Sequence, residues 1–272
     1  MKLTGRFLCL LLPLALSACD LRFNIFNFGS LSAKKVCNNN PELCEDLNQD
    51  GWCKKERSAV ILSRYNESKE PNDPHKYQLI KDYKDYNACI ELAASIEPRY
   101  DKSRKTKRVV GMLTSIEELA RLEAETTNSD YPFLLMYHWK QLRDKQAKQR
   151  FLALEGSDAL KSPELQWTLA MYYNGKNAKK TITILENTFK LFPEDETIPA
   201  KYAEAIVSQY MVLKDYNNAY IWAQIASQFD DHIQQDYSGL NYQLNLTEQQ
   251  QEKLEEQAET IAEQIINRQY RL

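Results

Sequence analysis

Asp46-Leu47-Asn48-Gln49-Asp50-Gly51 puts oxygen-bearing side chains at alternate positions and a glycine at the sixth, the first half of a calcium-wrapping loop. The pattern then breaks: the twelfth position needs a bidentate glutamate and holds Arg57, with Glu56 one residue early. Asp46, Asn48 and Asp50 are therefore candidate calcium ligands, and an Asx-rich turn ahead of a helix is the competing explanation. Cys44 and Cys53 bracket this loop, and Cys37 and Cys89 lie outside it. In an oxidising compartment these four predict two disulfides, with three pairings open, and one bridge should tie the Cys37 to Cys53 region onto the helix carrying Cys89. The spacings between them do not suit paired zinc knuckles. Signatures of catalysis are missing: there is no Gly-x-Ser-x-Gly, no phosphate loop and no His-Glu-x-x-His, while His75, His138 and His232 are scattered. The chain is expected not to be an enzyme and to need no cofactor apart from the calcium option. A cell-wall hydrolase built on an unrecognised carboxylate pair is the catalytic alternative.

At the N-terminus, Lys2 and Arg6 precede an apolar run from Phe7 to Leu16, which predicts a cleaved export segment over residues 1–18. The run is too short to span a bilayer, which takes about 20 residues. Leu16-Ser17-Ala18-Cys19 resembles a bacterial lipobox. The resemblance implies that Cys19 is lipidated and becomes the mature N-terminus, anchoring a domain on the periplasmic side of the envelope. Asp20 is similar to the signal that retains such proteins in the inner membrane. Residues 19–36 are then a tether whose Phe23, Ile25, Phe26 and Phe28 either pack on the domain or rest at the lipid interface.

The elements that must position these groups are helical. Seven glycines and nine prolines are few, β-type alternation is scarce, and 43% of the residues are hydrophobic, enough to bury a core. A net charge of −3, more negative once Lys2 and Arg6 leave, argues against nucleic acid as a partner. The expected organisation is a cysteine-containing helical region at 37–96, a helical region with a degenerate hairpin at 97–161, helical hairpins at 162–232 and a capping helix at 233–272. Within 37–96, Lys84-Asp85-Tyr86-Asn87 echoes Lys214-Asp215-Tyr216-Asn217 and suggests a further hairpin. Arg99, Lys102, Arg104, Lys105, Lys107 and Arg108 form a basic cluster that reads as a solvated helix start or as a contact for anionic headgroups. Thr247 with Gln250 forms a capping-box pattern, ahead of an apolar stripe of Leu254, Ala258, Ile261 and Ile265.

In the hairpin region, Trp167, Leu169, Ala170 and Tyr173 precede a break at Gly175 and a second helix closed by Pro193; Tyr202, Ala203, Ile206 and Tyr210 precede a turn and then Ala219, Trp222 and Ala226. This pairing of aromatic and small residues resembles a tetratricopeptide-type repeat, and the chain is similar to uncharacterised bacterial lipoproteins with degenerate regions of that kind. The resemblance implies an all-α array of helical hairpins that binds a protein or peptide of the envelope. It also implies that the first helix of each hairpin lines the binding surface, which singles out Thr168, Tyr172, Lys201, Glu204, Ser208 and Met211 as partner contacts.

Overall fold

A computed structural model describes residues 31–229 and 238–271. The export segment, Cys19 with its lipobox, Asp20, the tether through residue 30 and His232 lie outside the described residues. Among the described residues every regular element is a helix: α1 (Ala33–Asn39), α2 (Lys54–Lys69), α3 (Asp73–Ser95), α4 (Ser103–Thr126), α5 (Pro132–Leu142), α6 (Lys145–Ala153), α7 (Pro163–Tyr173), α8 (Ala178–Thr188), α9 (Lys201–Leu213), α10 (Tyr216–Phe229), α11 (Ser238–Leu244) and α12 (Glu248–Ile266). None is long and apolar enough to cross a membrane.

Local chemistry sets the boundaries. Asn72, Asp144 and Asn177 accept first-turn amides from His75, Gln146 and Lys180 at 2.9, 2.7 and 3.0 Å, each cap being worth about 1 kcal/mol. Pro74, Pro132 and Pro163 occupy first turns, where a missing N–H costs nothing. Thr247 and Gln250 form the reciprocal capping box that opens α12. Arg143 and Lys214 stop α5 and α9 in the left-handed region, each at φ 58°.

The helices pack as successive antiparallel pairs. Cys53 at the start of α2 is bonded to Cys89 near the end of α3, and Cys37 to Cys44. Along α3 and α4, Ser115 Oγ donates to Asn87 Oδ1 at 2.7 Å and Lys76 bonds Glu125 at 2.6 Å, which fixes opposite directions. The pairs α5/α6, α7/α8 and α9/α10 follow, and α12 lies on α10.

The leading helices α3, α5, α7 and α9 begin at one end. Tyr77 of α3 lies 5.2 Å from the Phe133 ring of α5 and donates to Glu164 Oε1 of α7 at 3.2 Å. Trp167 of α7 packs on Tyr202 of α9 at 4.9 Å, and Gln209 bonds Asn174 near the opposite end of that pair. These helices therefore run parallel, side by side. One buried cluster continues from Val36 to Ile265.

The echo at Lys84-Asp85-Tyr86-Asn87 does not mark a hairpin. It lies inside α3, whereas its counterpart spans the turn between α9 and α10. At the true turn Lys214 adopts the left-handed conformation and Asp215 Oδ1 accepts from the Asn218 amide. At the echo, Tyr86 and Asn87 are held instead by Asn48 and Ser115 from other elements.

Candidate docking surface

The cysteine loop is built around arginines. Arg64 of α2 bonds both oxygens of Asp46 at 2.7 Å and donates to the Leu43 carbonyl at 2.9 Å. Arg108 of α4 donates to Asp50 Oδ2 at 2.7 Å and to the Ala93 carbonyl at 3.0 Å. Arg57 donates to the backbone carbonyls of Asn48 and Asp50. Asn48 is fully buried: its side-chain amide donates to Asp50 Oδ1 and the Trp52 carbonyl, and its oxygen accepts from the Tyr86 hydroxyl. Burial alone would raise the Asp50 carboxyl, but hydrogen bonds from Arg108, Asn48 and the Trp52 amide hold it below its ordinary value. Burial would likewise lower Arg64, and its pairing with Asp46 reverses the sign. The Asp46 and Asp50 carboxylates are thus occupied by guanidinium and amide donors, and the Asn48 oxygen by the Tyr86 hydroxyl. Among the described residues no group of three His, Cys, Asp or Glu is placed to hold a metal ion.

The six residues expected to line a groove do not share one. Thr168 is buried at 3% exposure, so its expected exposure is corrected; its hydroxyl lies 3.1 Å from both Met136 Sδ of α5 and the Glu164 carbonyl, which share its one proton. Tyr172 is half-buried against Trp139 at 5.8 Å, with Lys148 and Lys176 over its ring. Both residues of α7 therefore address α5 and α6. On α9, Lys201, Ser208 and Met211 are exposed and Glu204 is partly so, with the Lys201 ammonium over Trp167 and Tyr202. The cause is the packing: the turn of α7 that carries Thr168 fills the seam with α5.

The structure does bring together a different set. A cleft of about 250 Å³ opens between α3 and α5 and is closed at one end by the first turn of α7. Met136, Tyr77 and Tyr137 form its floor, and Lys81, Lys84, Lys140 and Gln141 stand on its rim with Asp85 and Glu164. Lys81 lies 5.7 Å from the Tyr77 ring centroid and Lys84 5.3 Å from that of Tyr137. Lys76, Lys105, Lys161 and Lys180 form ion pairs; among the described residues Lys81, Lys84 and Lys140 form none. The Tyr77 and Tyr137 hydroxyls are committed to Glu164 and Glu123, and burial with those carboxylates raises both phenols. The floor thus stays neutral while three lysines outnumber Asp85 and Glu164 on the rim, a combination that holds an apolar body by its surface and a mixed, mainly anionic group by its charge. Lysines at positions 81, 84 and 140 look like any solvated helix face in sequence. Only the docking of α5 beside α3 brings them to one opening.

Of the histidines, His138 is buried with Nε2 against the Thr126 hydroxyl at 2.9 Å, and His75 Nδ1 lies 2.8 Å from the Glu70 carbonyl. Thr126 and His138 are both buried, and the Thr126 hydroxyl also bonds the Leu122 carbonyl, so the pair is held inside the packing. A family model described as protein of unknown function (DUF2989) matches residues 26–224. No curated protein and no solved structure matches the chain.

Proposed function

The chain belongs to the DUF2989 family, a membership that assigns no activity, and from its own residues we propose a non-catalytic lipoprotein of the bacterial envelope. It is tethered through Cys19 on the periplasmic side, with Asp20 favouring the inner membrane, and its row of hairpins is a tetratricopeptide-like array that docks a protein or peptide. The docking surface is the cleft between α3 and α5. The observation that carries this reading is the convergence of Lys81, Lys84 and Lys140, none of them ion-paired among the described residues, over a floor of Tyr77, Met136 and Tyr137. Charged side chains that serve only solubility have no reason to gather round one concavity, whereas a partner with acidic and apolar side chains meets both needs there.

A photo-cross-linking residue at Gln141, on the rim, tests the proposal in intact cells. One recurrent envelope protein should be captured and lost when Lys81→Glu and Lys140→Glu are introduced together. Capture of nothing, or capture indifferent to both changes, would remove the cleft from consideration. Mass spectrometry of the purified protein checks the tether separately, through acyl chains on Cys19. The loop between Cys44 and Cys53 takes its positive charge from Arg57, Arg64 and Arg108 and serves as a structural joint, in preference to calcium binding through Asp46, Asn48 and Asp50.

A further inference from the structure

Past the end of α12 the chain folds back onto the hairpins. Arg268 takes the left-handed conformation at φ 57°. Its guanidinium donates to the carbonyls of Phe192, Pro193 and Glu196 at 3.2, 2.7 and 2.7 Å. Tyr270 then lies edge-on to Phe189, just after α8, and to Trp222 of α10, and its hydroxyl reaches Glu186 Oε1 of α8 at 3.2 Å. Glu186 is 7% exposed, and among the described residues it forms no ion pair and its carboxyl accepts one side-chain hydrogen bond, from Tyr270. A carboxylate ionised in that position gives up its water for a single phenol donor. Lifting Tyr270 restores water to Oε1, whereas the bonds of Arg268 go to carbonyls that do not titrate.

We propose that residues 269–271 form a strap with Arg268 as its pivot, closed over Phe189 and Trp222 while Glu186 keeps its proton and lifted when that proton is lost. The titratable groups that face the carboxyl are Tyr270 of the strap and Tyr210 of α9. Burial raises both phenols, that of Tyr210 to about 12, so neither changes charge near neutral pH. Among the described residues, α7, α10 and α12 bring no ionic group that shifts Glu186. Burial raises the Glu186 carboxyl from 4.5 to about 7, against the Tyr270 hydrogen bond. The closed strap therefore holds a proton that the open one releases: closure is strongest below about 4.5 and weakens until pH passes about 7. Opening bares the edges of Phe189 and Trp222, so the strap decides whether the C-terminal end of the row of hairpins is sealed. This local event is distinct from the effect of the same carboxyl on overall unfolding, and it stands whether or not the cleft between α3 and α5 docks a partner.

The test is NMR of the purified protein carrying ring-labelled tyrosine, with the Tyr270 signals assigned by their loss in Tyr270→Phe. Below about pH 5 those signals should be displaced by the neighbouring rings of Phe189 and Trp222. By about pH 8 they should move towards the position of a free tyrosine, as the closing constant falls on the order of a hundredfold. Glu186→Gln keeps an acceptor for Tyr270 and never ionises, so its Tyr270 signals should stay displaced throughout. The buried Tyr202 and Tyr220 should hold still in both proteins. Tyr270 signals that do not move in the parent, or that move equally in Glu186→Gln, overturn the proposal. So does a movement shared with Tyr202 and Tyr220, which would be a general loosening rather than a strap.

Discussion

A Cβ on Gly111 would overlap the Tyr86 hydroxyl and come within 3.2 Å of the Asn48 amide nitrogen. Alanine offers about 1 kcal/mol of helix propensity over glycine, but overpacking costs about 1–3 kcal/mol, and shifting Tyr86 disturbs the buried Asn48 as well. Gly111→Ala should therefore lower stability by about 1–2 kcal/mol in a denaturant titration, and a gain would mean that the loop yields freely. Arg108 and Asp50 form the other tight point, with side chains 5% and 9% exposed. Asp50→Ala strands a buried guanidinium and should cost about 3 kcal/mol. Because the folded-state carboxyl is depressed, its contribution is present above about pH 4 and lost as pH falls through the lower folded value. Acid unfolding of Asp50→Asn should accordingly be less steep than that of the parent. Millimolar calcium should leave the Tm unchanged, and a clear rise would reinstate a metal at Asp46, Asn48 and Asp50. The loop's chemistry was half legible in sequence. Its acids were visible, but Arg64 and Arg108 lie 18 and 58 residues from the carboxylates they neutralise, a distance that no local pattern encodes.

At the scale of elements, the disulfide from Cys53 to Cys89 closes a loop with a sequence separation of 36 residues. Chain entropy gives it about 4 kcal/mol, against about 2 kcal/mol for the shorter Cys37 to Cys44 bridge. Replacing Cys53 and Cys89 by alanine should thus lower stability more than replacing Cys37 and Cys44; the reverse order would show that α2 and α3 hold each other without the link. The C-terminal end offers a pH-dependent contact. Tyr270 packs 6.4 Å from Phe189 and 6.1 Å from Trp222, and its hydroxyl donates to Glu186 Oε1 at 3.2 Å. Burial raises the Glu186 carboxyl to about 7, with the Tyr270 hydrogen bond opposing. The folded state therefore keeps a proton that the unfolded state releases, so stability is greatest below about 4.5 and falls as pH rises to about 7. Melting curves across that window should show a slope that Glu186→Gln removes. Helix ends were readable because caps and first-turn prolines act locally, as at Thr247 and Pro163. Helix faces were not: Thr168 sits at a position open to solvent on an isolated hairpin, and the neighbouring α5 covers it.

For the whole molecule, the all-helical class followed from composition, and the parallel row of α3, α5, α7 and α9 follows from packing contacts between aromatic side chains. The hairpin pattern was clear only from residue 162 onward, yet the cleft lies mainly between α3 and α5. Their sequences carry a weaker repeat signal, since Tyr77, Tyr137 and Lys84 serve the seam between helices. The chain as proposed is a tethered array whose lysine-rimmed cleft takes a partner. Its central claim concerns where the partner sits. The most direct measurement compares photo-cross-linkers at Gln141, on the cleft rim, and at Ser208, on the exposed side of α9, in the same cells. The account predicts one recurrent adduct from Gln141, lost with Lys81→Glu and Lys140→Glu, and none from Ser208. An adduct from Ser208 with nothing from Gln141 would contradict it and move docking to the α9 face.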